Sequence, residues 1–133
     1  MADLSAFPIT RRWPAANPGI LQLYSTPTPN GVKVSIMLEE TGLAYEPHFI
    51  NIGQNETWGE EFLSLNPNGK IPAILDPNGP DGTPLALFES GAILLYLGEK
   101  TGKFLPKPLA ERIPVYEWLM WQMGGFGPMP GQG

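Results

Sequence analysis

Residues 21–38 read LQLYSTPTPNGVKVSIML. Leu21 to Ser25 alternates apolar and polar side chains, the period of a strand. Pro27 and Pro29 stop it. Asn30 stands where a helix N-cap is favoured. Val32, Ile36 and Leu38, with Val34 and Met37, then supply a helical apolar face, and Gly42 closes the helix. A strand, a tight turn and an amphipathic helix in this order open a βαβ unit. In many redox proteins such a turn carries a Cys-x-x-Cys pair. Here it reads Thr28-Pro29-Asn30-Gly31, and the 133-residue chain has no cysteine. Any thiol chemistry at this turn has to use a thiol from elsewhere.

Working outward, residues 1–19 carry Pro8, Pro14, Pro18 and Gly19 with no apolar period, which predicts an irregular arm. Tyr45 to Ile52 predicts a second strand. Thr57 is placed to cap a short helix that runs to Leu65 and stops at Asn66-Pro67. Ile71 to Leu75 predicts a third strand and Leu85 to Phe88 a fourth. The turn-rich PNGPDGTP of residues 77–84 joins those two as a hairpin. Ser90 to Lys100 predicts a helix with Ile93, Leu94 and Leu97 on one side and Gly102 after it. The order is βαβ, a helix, then ββα. Its first half requires a right-handed crossover and a parallel strand pair. This is the thioredoxin-like α/β layout. Beyond it, Ala110 to Met123 (AERIPVYEWLMWQM) predicts one more helix, with Pro114 in its first turn, and GGFGPMPGQG reads as a loop or a frayed end.

The composition narrows the functions open to such a domain. Hydrophobic residues make up 42% of the chain, enough for a core. The net charge of −5, from 13 acidic and 8 basic residues, argues against nucleic-acid binding, which needs a basic face. Without cysteine there is neither a disulfide framework nor a Cys-ligated zinc site. The longest apolar block, residues 92–97, is far too short to cross a bilayer, and no signal-peptide pattern opens the chain. The expectation is a cytoplasmic protein with no membrane, nucleic-acid or metal partner.

Three short motifs carry candidate chemistry. Thr28 and Asn30 stand at the start of the first helix, where unpaired N–H groups and a partial positive charge stabilise an anion such as a thiolate. Taken alone, Thr28 as a turn residue and Asn30 as an N-cap is the plainer reading. Asn66-Pro67-Asn68-Gly69-Lys70-Ile71-Pro72 opens the third strand with a proline after an apolar residue, a candidate cis bond. The backbone of Ile71 could then pair with a peptide-like ligand as an added strand; an ordinary Pro-bounded loop is the plainer reading. Glu89-Ser90-Gly91 opens the last helix of the layout. Ser90 is a natural N-cap and lies where a ligand carboxylate would meet the helix N-terminus. Glu89 could pair with an adjacent ammonium, or simply be solvated. Together the motifs offer a donor cluster for a thiolate, an edge for a peptide backbone and an anchor for an amino-acid zwitterion. Glutathione has these parts in this order.

At this point NGKIPAI and LFESGAILLYLGEKTG make the sequence resemble the glutathione transferases. Within them it is most similar to the bacterial nu-class disulfide-bond reductases and the fungal Ure2-like proteins, which carry a TPN turn before the first helix. The resemblance covers about residues 20–133. It implies that Thr28 and Asn30 approach the glutathione sulfur, that Ile71 before a cis-Pro72 pairs with the cysteinyl backbone, and that Glu89 and Ser90 hold the γ-glutamyl end. Lys70 could reach the glycyl carboxylate, or be solvated in its NGK turn. The resemblance further implies a division into an arm (1–19), a glutathione-binding domain (20–106) and the start of an all-helical domain (107–133). It implies a homodimer in the full-length form, and disulfide reduction, or glutathione transfer or peroxide reduction, on a small disulfide or electrophile. A partner-binding or regulatory module without catalysis is the rival use of the same scaffold. His48, the only histidine, is expected to be a surface or packing residue rather than a base.

Overall fold

The structure, a computed structural model, describes residues 3–132. Four strands form one mixed sheet in the order β2-β1-β3-β4. They are β1 (Leu21–Ser25), β2 (Tyr45–Phe49), β3 (Ala73–Asp76) and β4 (Leu85–Phe88). β1 runs parallel to β2 and antiparallel to β3, and β3 runs antiparallel to β4. Among the described residues the α-helices are α1 (Ile9–Arg12), α2 (Pro29–Thr41), α3 (Glu60–Leu63), α4 (Ser90–Thr101), α5 (Leu109–Trp121) and α6 (Pro128–Gln132). This is the expected thioredoxin-like α/β layout, with further helices after it.

The two sheet faces bury separate clusters. Leu21, Leu23 and Ile74 face α2 and α4, meeting Val34, Leu38, Ile93 and Leu97. The other face carries Tyr24, Ala73 and Leu75 and packs against Ile50, Phe62 and Leu65. All five residues of β1 are buried, including Gln22 and Ser25, because this central strand is covered on both sides. The alternation in the sequence therefore separates two buried faces, not a buried face from a wet one.

The structure changes several local expectations. Thr28, not Asn30, caps α2, and its Oγ1 accepts the N–H of Gly31 at 3.2 Å. Pro29 takes the first helical position, where its missing N–H costs nothing. The buried stripe of α2 is Gly31, Val34, Leu38 and Thr41, while Val32 and Ile36 face outward. Ser90 is the first residue of α4 and Glu89 occupies the cap, because β4 ends at Phe88 and the chain turns at once. Thr57 lies buried within a short 3₁₀ turn, and Gly59 precedes α3 instead. β2 stops at Phe49, and β3 starts two residues later than Ile71. The arm is not wholly irregular: it contains α1 and sends Leu4 and Ile9 into the second cluster. Of GGFGPMPGQG, residues 124–132 are largely helical, and Gly133 lies outside the described residues. Gln122–Phe126 forms a π turn, closed by the Gly127 N–H on the Gln122 carbonyl at 2.7 Å, and Pro128 opens α6. Pro114 falls in the second turn of α5, not the first.

Candidate functional site

Sheet direction explains why the three motifs meet. β1 and β4 both run toward one end of the sheet, and β3 starts there. Ala73 pairs with Tyr24 on one side and with Phe88 on the other. One residue earlier, Pro72 falls between the ends of β1 and β4, where α2 and α4 begin. The Ile71–Pro72 peptide bond is cis. Ile71 itself stands outside the ladder, which starts at Ala73.

A cavity of about 70 Å³ lies at this end. Asn30 of α2 lines it, with Lys70, Ile71 and Pro72 from the loop before β3 and Glu89 and Ser90 from the β4–α4 junction. Six of the seven residues singled out from sequence thus line one space. The seventh, Thr28, does not line it. Its hydroxyl oxygen is the acceptor that caps α2, which leaves the hydroxyl proton free to donate.

Two further residues, Asn66 and Met123, line the cavity without having been singled out. Asn66 is buried and organises the loop: its amide donates to the Lys70 carbonyl at 2.8 Å and its Oδ1 accepts the Asn68 N–H at 2.9 Å. The repeated Asn in NPN was the available signal, since Asn side chains commonly close their own turns. Met123 comes from the π turn after α5. Nothing local marks it, because its role depends on a long-range approach.

Charges at the site oppose each other. Glu89 adopts φ 76° and ψ 114°, a conformation that side chains other than glycine rarely hold. Strain of this kind, about 1–3 kcal/mol, gathers at functional sites. Lys33, one turn along α2 from Asn30, sends its ammonium to Gln122 Oε1 at 3.2 Å and Met123 Sδ at 3.1 Å. Burial lowers the Lys33 pKa from its ordinary value, while the Glu89 carboxylate pulls the other way.

His48 is away from the cavity, on β2. Its ring stacks on Tyr24, with centroids 4.7 Å apart and planes 13° from parallel, and Nε2 lies 2.7 Å from Gln22 Oε1. It is a packing residue, as expected. Burial raises the Tyr24 hydroxyl pKa, with Glu46 adding to the effect. Among the described residues no group of three or more His, Cys, Asp or Glu could hold a metal ion, and no helix is long and apolar enough to cross a membrane.

The family model described as "Glutathione S-transferase, N-terminal domain" matches residues 20–99. Among curated relatives, disulfide-bond oxidoreductase YfcG of Escherichia coli is 52% identical over 114 residues, covering 85% of this chain and 53% of YfcG. Disulfide-bond oxidoreductase YghU of the same organism is 48% identical, covering 85% of this chain and 40% of YghU. The chain therefore spans about half the length of the curated relatives it matches. A glutathione transferase of Burkholderia graminis, solved with two glutathione molecules per subunit, is 67% identical with a TM-score of 0.97, covering 99% of this chain and 55% of that one. One from Pseudomonas putida, solved with one glutathione disulfide per subunit, is 65% identical with a TM-score of 0.95, covering 98% and 56%.

Proposed function

This chain belongs to the glutathione S-transferase family, and from that premise we propose that it is the glutathione-binding part of a disulfide reductase that works through the thiol of glutathione. One observation carries the reading: six residues from three separate stretches line a single cavity at the start of α2, in a chain with no cysteine of its own. Ser90, at the first position of α4, and Glu89 suit the carboxylate and ammonium of the γ-glutamyl end. Ile71 presents backbone to the cysteinyl unit. Asn30, and the free hydroxyl proton of Thr28, donate to the sulfur, and the start of α2 favours its thiolate. Lys70 reaches toward the glycyl carboxylate.

The chemistry is thiol–disulfide exchange. The bound thiolate attacks one sulfur of a disulfide RSSR′, forms a mixed disulfide with glutathione and releases R′S⁻. A second glutathione thiolate attacks the glutathione sulfur of that mixed disulfide, giving glutathione disulfide and RS⁻. Two thiols are oxidised and one disulfide is reduced. The Burkholderia graminis relative, with two glutathione molecules per subunit, fits this stoichiometry. Transfer of glutathione to electrophiles and peroxide reduction are secondary activities of the same thiolate. Residues 20–106 form the glutathione-binding domain and residues from 107 onward begin a helical one. The working form is a cytoplasmic homodimer, in the compartment where glutathione is kept reduced. Calorimetric titration of the chain with reduced glutathione tests the reading. Saturable binding is expected, and no heat at millimolar glutathione overturns it.

A further inference from the structure

The buried hydroxyl of Ser90 has a weak partner. Among the described residues it donates to the thioether of Met123, at 3.5 Å, and a thioether is a poor acceptor. The same sulfur lies 3.1 Å from the Lys33 ammonium, which also donates to Gln122 Oε1. Two good donors therefore converge on one side chain whose main contribution is its bulk. Gly91 makes room for it: a Cβ there would stand 3.2 Å from Met123 Cγ. The π turn that delivers Met123 is stitched to α2 through Lys33.

The cavity behind this side chain measures about 70 Å³. Glu89, Ser90 and Met123 share one end of it, so a group seated against Ser90 also meets the Met123 side chain. The other residues near Ser90 come from the sheet domain: Glu89 is its neighbour and Pro72 precedes β3. Met123 is the one lining residue that comes from the π turn after α5.

We propose that Met123 is a specificity-determining residue of this cavity, held in place by Lys33 and Gln122, and that it restricts the end beside Ser90 to an unsubstituted amino-acid terminus. The inference rests on the glutathione reading above and extends it to what the γ-glutamyl end is allowed to carry.

The test compares reduced glutathione with an analogue bearing an N-ethyl group on the γ-glutamyl nitrogen, which adds bulk while keeping the positive charge. Both are titrated calorimetrically into the chain and into Met123→Ala, Met123→Leu and Lys33→Met. The unaltered chain should prefer glutathione by on the order of tenfold or more, the scale of discrimination by a close-fitting wall. Met123→Ala should bring the preference toward parity. Met123→Leu, similar in volume but without sulfur, should keep it, and Lys33→Met should fall between. If Met123→Ala does not fold, as judged by circular dichroism, Met123→Val supplies the shortened side chain. An unchanged preference in the shortened variant overturns the inference, as does an unaltered chain that takes both ligands equally; either result leaves glutathione binding intact. An unaltered chain that binds neither ligand overturns the glutathione reading, and this inference with it.

Discussion

Thr28 and Asn30 sit two residues apart, and of the two only Thr28 has a side-chain hydrogen bond within α2. The Thr28 oxygen is committed to the Gly31 N–H and so supports α2 directly. Thr28→Ala should lower stability by about 1 kcal/mol, the usual loss of a cap, which a chemical-denaturation midpoint will register. The Asn30 side chain is exposed at the cavity and caps nothing. Asn30→Ala should leave that midpoint in place and instead slow reduction of a small disulfide. The expected loss is about 1–3 kcal/mol of transition-state stabilisation, the worth of a donor to a charged acceptor. Steady-state turnover measured beside the denaturation curve separates the two residues, and equal stability losses would show that both serve only the helix. The chemical types at these positions were legible in the sequence, because hydroxyl and amide groups around a helix start have few uses. Which of them caps was not. That depends on Pro29 taking the first helical turn, which moves the cap back to Thr28.

At the scale of elements, the strands and the three long helices were readable because periodic apolar runs bounded by Gly and Pro leave little choice. Other missed details depend on how elements approach each other. Gly31 looked like part of an ordinary turn, but a Cβ there would lie 2.1 Å from the Thr26 carbonyl oxygen and 2.4 Å from Ser25 Oγ. The first turn of α2 is thus pressed onto the end of β1. Gly31→Ala should cost at least ~3 kcal/mol, the upper end of overpacking losses, because the main obstruction is backbone and cannot rotate away; a thermal melt will show it. β1 and β2 share a second device that the sequence did not disclose. His48, stacked on Tyr24 and bonded to Gln22, lies 3.6 Å from Glu46. Burial lowers its pKa below the ordinary 6.5, against the pull of Glu46. The unfolded chain therefore holds more protons just below pH 6.5, and stability rises with pH across that interval. The contribution of His48 is complete above about pH 6.5 and is lost as the pH falls through the lower folded value. Burial alone would raise the Glu46 carboxyl, but the Ala16 and Asn17 N–H groups hold it below 4.5, so its own effect appears only in stronger acid. Urea midpoints at pH 7.5 and 5.5 should drop in the parent chain and change less in His48→Gln.

At the scale of the whole molecule, the N-terminal arm and the α5–α6 segment stand in contrast. The arm reads as irregular in sequence because prolines break its pattern, yet Ile9 is fully buried and Leu4 nearly so. Glu46 also accepts two of its N–H groups, at 2.8 and 2.7 Å. Ile9→Ala should therefore lower stability by about 2–5 kcal/mol, as for other large-to-small changes in a packed core, where a solvated arm would give almost none. The α5–α6 segment is the reverse case, rich in apolar residues that the fold does not cover. α5 has no buried residue, and Trp118, Trp121, Phe126 and Met129 are all more than half exposed. An apolar groove of about 350 Å³ lined by Ile36, Met37, Leu94 and Phe104 adds to this open surface. Monomers that stay dispersed rarely expose apolar patches beyond a few hundred Å², and a helix apolar on nearly every side is built to be enclosed. The 133-residue chain should accordingly self-associate at micromolar concentration. Sedimentation velocity over a concentration series should show mass rising with concentration, and a hydrophobic dye should bind strongly when the chain is dilute. Paired Trp118→Glu and Trp121→Glu substitutions should restore a monomer without shifting the melting of the sheet domain, because neither side chain belongs to its two core clusters. A parent chain that sediments as a monomer and leaves the dye dark would mean that this helix finds cover within the chain, and that α5 packs more closely on the sheet domain than described above.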